Sequence, residues 1–135
     1  TEFKMEKAVF ACDFKEENLS AYRKAMKIFN TFGTEVKLLY VNLPAEQFRS
    51  TRETEDRIVD FLSKSGLDDA HTINNVTFYS DYTVEDGIFS YSNKVNADVI
   101  AIPTHGRQGL AHFFSGSIGE DVANHSDLPV ITFKI

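Results

Sequence analysis

The sequence predicts an α/β fold: a doubly wound, five-stranded parallel sheet with helices on both faces. Two observations carry that expectation. Short runs rich in apolar and β-branched residues alternate strictly with longer segments whose apolar residues recur at helical spacing. One short run, residues 97–103 (ADVIAIP), is nearly all apolar, as a strand covered on both faces must be. Strict alternation implies parallel strands joined by right-handed crossovers.

Residues 7–13 (KAVFACD) form the first strand, an apolar run ending in Asp13. Asn18 or Ser20 opens a helix over residues 19–33, where Ala21, Ala25, Ile28, Phe29 and Phe32 fall at helical spacing and Gly33 supplies the stop. Residues 35–43 (EVKLLYVNL) make the second strand, ended by Pro44. A polar helix is expected over residues 45–66, with Ile58, Val59, Phe61 and Leu62 as its apolar stripe and Gly66 after it. Its charged start, residues 49–57 (RSTRETEDR), reads as a solvated face. Residues 72–80 (TINNVTFYS) form the third strand.

The third helix spans residues 83–96. Thr83 caps it with Asp86 three residues on, a variant of the capping box in which Glu or Gln is usual. Val84, Ile88, Tyr91 and Val95 repeat at helical spacing. The fourth strand follows, then a glycine-punctuated loop, then a last helix over residues 117–126 with Ser117 near its cap. Residues 128–135 (LPVITFKI) close the sheet.

At 135 residues the chain suits one domain, spanning residues 1–135, with a real core. Its 42% hydrophobic and 25% charged residues are ordinary for a globular protein. No apolar run approaches the ~20 residues that span a membrane, and no signal peptide is visible. The single cysteine, Cys12, has no internal partner for a disulfide; with no secretory signal, a cytoplasmic setting is expected. Placed within the first strand, Cys12 reads as a buried, inert thiol. The net charge is −6 and the basic residues are scattered, which argues against nucleic acid as a partner. A small anion held by backbone N–H groups stays open.

In open parallel sheets, ligands bind beyond the carboxyl ends of the strands, where the strand order reverses. The residues there are Asp13, residues 41–44, residues 80–82 and Pro103 onward. Several familiar sites are absent. There is no G-x-x-x-x-G-K-[ST] phosphate loop, no G-x-G-x-x-G after the first strand and no G-x-S-x-G. The four histidines show no zinc-like pairing.

What remains is the loop after Pro103. Thr104 and His105 are followed by Gly106, then by nine residues, then by Gly116-Ser117. This stretch, THGRQGLAHFFSGS, resembles the universal stress protein family, whose nucleotide-binding members carry G-x2-G-x9-G-[ST] after the fourth strand. The resemblance covers the whole chain, from AVFACD and KLLYV to the terminal Pro-Val strand. It is also similar to the second half of tandem, two-domain members, in which a sister domain precedes the one represented here. One position departs: Pro103 stands where the first motif glycine is expected.

The resemblance implies an adenine nucleotide alpha hydrolase-like fold with strand order 3-2-1-4-5. It implies ATP, or a related adenine nucleotide with Mg²⁺, as ligand, held as a switch in a stress response. It places Asp13 and Val41 near the adenine and Pro103, Thr104, His105, Gly106, Gly116, Ser117 and Ile118 along ribose and phosphates. The N–H groups of Ser117 and Ile118 would open a helix, which favours an anion. It further implies a homodimer or tandem-domain pairing through the terminal strand, whose first and last residues are Pro129 and Ile135.

Plainer readings stand beside these. Gly106 and Gly109 can simply make a turn, Ser117 can serve only as an N-cap, and Asp13 can be a turn residue. Phe113 and Phe114 read as core or interface anchors. Pro103 lacks an N–H, which would cost a ligand one hydrogen bond, about 0.5–1.5 kcal/mol net. The expectation is therefore weakened rather than abolished binding. No general base, metal-binding acid cluster or catalytic lysine is evident in the loop, so enzyme activity beyond slow ATP hydrolysis is not expected. The alternative to a nucleotide binder is an interaction module built on the apolar terminal strand.

Overall fold

The computed structural model describes residues 5–42, 51–67, 73–104 and 128–135. Five parallel strands form one sheet in the order β3-β2-β1-β4-β5. They are β1 (Lys7–Ala11), β2 (Glu35–Asn42), β3 (Val76–Ser80), β4 (Val99–Thr104) and β5 (Val130–Lys134). Three helices are described: α1 (Leu19–Thr31), α2 (Thr51–Lys64) and α3 (Val84–Lys94). The order reverses between β1 and β4, as the family resemblance implied. The expected helix over residues 117–126 lies outside the described residues.

The pleat sends alternate residues to opposite faces, and two cores result. Ala8, Phe10, Leu38, Val99 and Ala101 meet α1 and α2. Val9, Leu39, Val41, Ile100 and Ile102 meet Ile88, Phe89 and Tyr91 of α3. β4 is buried at five of its six positions, which accounts for its unbroken apolar run. On the first face aromatic rings interlock edge to face: Phe10 on Tyr22 at 5.6 Å, Tyr22 on Phe61 at 5.3 Å and Phe14 on Phe61 at 5.3 Å.

The helices start and stop close to where the sequence placed them. Gly33 and Gly66 both take positive φ, +65° and +75°, where a side chain would be strained. Thr83 caps α3, its Oγ1 accepting the N–H of Asp86 at 3.1 Å. α2 is described from Thr51, not from residue 45, and residues 43–50 lie outside the described residues.

In each helix one or two of the apolar residues at helical spacing stay exposed. α1 buries Leu19, Ala21, Tyr22, Ala25, Met26 and Phe29, while Ile28 and Phe32 stay 41% and 67% exposed. Val59 of α2 and Val84 of α3 are exposed as well. Ile28 and Val59 project to the edges of their buried stripes, while Phe32 is the C-cap of α1 and Val84 the first residue of α3. A carboxylate ties the amino ends together: Asp98 Oδ2 accepts the N–H groups of Glu6 and Lys7 at 3.1 and 3.0 Å, holding the start of β1 against β4.

Candidate functional site

The reversal point sits at the carboxyl end of β1, and the strand registers show what faces it. In a parallel ladder, the N–H and C=O of one residue point to the same side, and successive residues alternate. Ile100 donates to Pro129 of the β5 side and Thr104 accepts from Ile135, so Ile100, Ile102 and Thr104 turn to β5. Ala101 and Pro103 therefore turn to β1. The β1–β4 pairing runs from Ala8↔Val99 to Phe10↔Ala101 and stops. The next rung would need an N–H from residue 103, and proline has none. The two strands accordingly part at Pro103, which lies within β4 and not after it.

The other flank is similar. Cys12 donates its N–H to the Leu39 carbonyl at 3.3 Å, so Leu39, and by alternation Val41, turn their backbones toward β1. Counting on from Ala11↔Leu39 sets Asp13 level with Val41, just past the end of β1. Val41 from β2 and Pro103 from β4 thus face the same gap from opposite sides, with Asp13 between them. Thr104 is buried and its carbonyl is taken by Ile135 at 2.9 Å.

The turn after β1 is built by Asp13. Its Oδ1 accepts the N–H of Lys15 at 3.0 Å and the side-chain amide of Asn18. This is the Asx turn to which aspartate is suited. Asp13 Oδ2 lies 3.8 Å from Lys15 Nζ, and the side chain is half exposed. The turn-residue reading of Asp13 is thus satisfied by Oδ1, while Oδ2 lies beside Lys15. Phe14 takes φ +59°, unusual for a residue with a side chain. Its ring is fully buried against Phe61 and Tyr40, which fixes that backbone.

Cys12 follows β1 directly rather than lying within it, and is partly buried. Desolvation pushes its thiol well above the usual thiol range, opposed by the Phe14 N–H, which donates to Sγ at 3.4 Å, and more weakly by Arg57. The inert-thiol reading fits that environment. Arg57, expected on a solvated face, instead lies over the Tyr40 ring with Cζ 5.7 Å from its centroid. Its Nη2 donates to Tyr40 Oη at 3.3 Å.

Of the residues read from the sequence, Asp13, Val41, Pro103 and Thr104 stand at the carboxyl ends of adjacent strands. His105, Gly106, Gly116, Ser117 and Ile118 lie outside the described residues, as do Phe113 and Phe114. Among the described residues, no group of three or more His, Cys, Asp or Glu is placed to hold a metal ion. No helix among them is long and apolar enough to cross a membrane. Two residues escaped the sequence reading. Asn18, one of the two cap candidates, stands at the N-cap of α1, yet its side chain goes to Asp13 and not to the helix. Gly87, inside α3, lies directly on Val41; a lone glycine in a helical pattern was the available signal.

Comparison with known proteins bears on this arrangement. A universal stress protein solved in complex with cAMP aligns with TM-score 0.61 at 17% identity, covering 96% of this chain and 97% of that one. The universal stress protein from Archaeoglobus fulgidus, solved in complex with dAMP, aligns with TM-score 0.55 at 20% identity, covering 98% and 100%. A putative universal stress protein from Pseudomonas aeruginosa aligns with TM-score 0.63 at 18% identity, covering 98% of this chain but 48% of that one. At these identities the likeness is one of fold. No curated protein matches the chain. The model of the universal stress protein family matches residues 4–134, nearly end to end, and on that match the chain belongs to the universal stress protein family.

Proposed function

We propose that this domain binds an adenine nucleotide, ATP or a close relative, at the gap beyond β1, and that the nucleotide acts as a bound switch in a stress response. One observation carries the reading: the backbones of Val41 and Pro103 face the end of β1 from two sides, with the half-exposed side chain of Asp13 between them. Such a gap is where parallel sheets take their ligands. Fold neighbours solved with cAMP and with dAMP support adenine nucleotides as the class.

In this reading Val41 and Asp13 meet the adenine and ribose. Thr104, His105, Gly106, Gly116, Ser117 and Ile118 follow the ribose and phosphates. Mg²⁺ would accompany ATP through the phosphates, since the described residues supply no acid cluster for it. Pro103 narrows the set of donors by one and weakens the complex without closing the gap.

The test is direct. Protein purified under native conditions is denatured and its released small molecules are analysed by mass spectrometry, and stripped protein is titrated with ATP and Mg²⁺ by calorimetry. Stoichiometric adenine nucleotide, or a saturable heat that Gly116→Leu removes while the fold persists, is the expected result. Neither signal from the unsubstituted protein would end this reading.

A second reading rests on β5. It is an edge strand, and by register Val130 and Thr132 turn their backbone groups away from β4. Such an edge invites pairing with another strand, so a homodimer or a tandem-domain pairing through the strand bounded by Pro129 and Ile135 is proposed as well. Dimerisation that Thr132→Pro abolishes, in protein that binds no nucleotide, would favour an interaction module as the main role.

A further inference from the structure

α3 carries a glycine in its interior, where glycine costs about 1 kcal/mol relative to alanine. The packing gives the reason. A Cβ on Gly87 would stand 2.6 Å from Val41 Cγ1, 3.0 Å from Val41 Cγ2 and 3.4 Å from Asp81 Cβ. The Val41 isopropyl group occupies the place that a side chain of α3 would take. Val41 ends the buried part of β2, and Asp81 follows β3, with its N–H on the carbonyl of Asn42 at 3.1 Å. Gly87 therefore lets α3 settle on the carboxyl ends of two adjacent strands. Val41 is β-branched and stiff about χ1. Turning about χ1 is costly for it, so an added methyl is expected to displace its backbone, the helix or both.

We propose that Gly87 is a positioning residue for the nucleotide site. By admitting the Val41 side chain beneath α3, it fixes the height of the β2 end, whose backbone groups turn toward the gap beyond β1. Gly87 touches no ligand in this role. The inference rests on the adenine-nucleotide reading above and adds what holds the base-facing side of that site in place.

Three variants test it: Gly87→Ala, Val41→Ala and the two combined, each titrated with ATP and Mg²⁺. Gly87→Ala should raise the Kd at least about fivefold in the natural background and less than about twofold in the Val41→Ala background, where the obstructing methyls are gone. In nucleotide-free protein, the same substitution should shift the amide resonances of Val41, Asn42 and Asp81. A general loosening of the fold would instead weaken binding equally in both backgrounds, and that result overturns the proposal. So does unchanged affinity, or unmoved amides, in Gly87→Ala when the unsubstituted protein binds. Absence of binding by the unsubstituted protein defeats the nucleotide reading itself, and this inference with it. Should Gly87→Ala alone fail to fold, the double variant must fold and bind as Val41→Ala does; otherwise the proposal is wrong.

Discussion

Asn18 donates its side-chain amide to Oδ1 of Asp13, the same oxygen that accepts the N–H of Lys15. Asn18 is buried at the position that opens α1, yet it makes no side-chain cap there. Its amide is committed to shaping the turn that carries Asp13 past the end of β1. A hydrogen bond to a charged acceptor is worth about 1.5–3 kcal/mol. Asn18→Ala should therefore lower stability by about that amount in urea titrations. A variant as stable as the natural protein would show that the turn holds without it.

Phe14 supplies a second, sharper test of the same turn. Its φ of +59° costs a residue with a Cβ but not glycine. Its ring packs on Phe61 and Tyr40. Phe14→Ala should cost about 3–5 kcal/mol through the lost ring. Phe14→Gly loses the same ring but sheds the backbone strain. It should be the more stable of the two by about 1 kcal/mol, the reverse of the usual ranking. Equal or inverted midpoints in denaturant would mean that the positive φ stores no strain.

Cys12 and Tyr22 tie the stability of this fold to pH on the alkaline side. Burial pushes both groups well above their ordinary values, and each is neutral when protonated. The folded state then holds protons that the unfolded chain gives up. The stability this contributes is complete below the unfolded thiol value of about 8.5 and is lost as pH rises beyond it, by about 1.4 kcal/mol per pH unit per group. Between about pH 8.5 and 10 the thiol accounts for most of the loss, since an unfolded tyrosine titrates near 10. Cys12→Ala should flatten the stability curve in that window and leave above it only the shallower fall due to Tyr22. An unchanged slope would exclude the thiol as its source.

Much of this was legible in the sequence, for reasons visible at particular residues. β4 announced itself because both of its faces are covered, so that its first five residues are all apolar. Gly33, Gly66 and Thr83 marked helix ends because each answers a local backbone need that tertiary packing does not alter. The edges and ends of the stripes were not legible: Ile28, Phe32, Val59 and Val84 fit a helical stripe in spacing, yet Ile28 and Val59 lie at its edge and Phe32 and Val84 at helix ends, where they stay exposed. Strand order was beyond periodicity and came from the family resemblance. At the site, Asp13, Val41 and Pro103 were findable because strand ends can be counted. Gly87 and Asn18 were harder to read: a glycine inside a helical pattern signals a close approach without naming Val41 as the neighbour, and an asparagine at a helix start fits a cap as well as a bond back to Asp13.

Pro103 changes meaning once its direction is known. Seen as a motif position, it was a missing glycine at the start of a loop. In the fold it is a strand residue whose nitrogen faces β1, one rung past Phe10↔Ala101. Pro103→Gly would add a donor in the gap where the nucleotide is proposed to lie. One neutral hydrogen bond of about 0.5–1.5 kcal/mol corresponds to an affinity gain of up to about tenfold. We therefore expect Pro103→Gly to tighten ATP binding by up to that factor in calorimetry. The new N–H has a rival acceptor, because the carbonyl of Ala11 stands where the next rung of the ladder would close. Hydrogen exchange separates the two outcomes. An amide at position 103 that is protected only when ATP is present means that the donor serves the ligand. Protection without ATP, and no gain in affinity, means that the strands have zipped one step further and that the proline kept them apart.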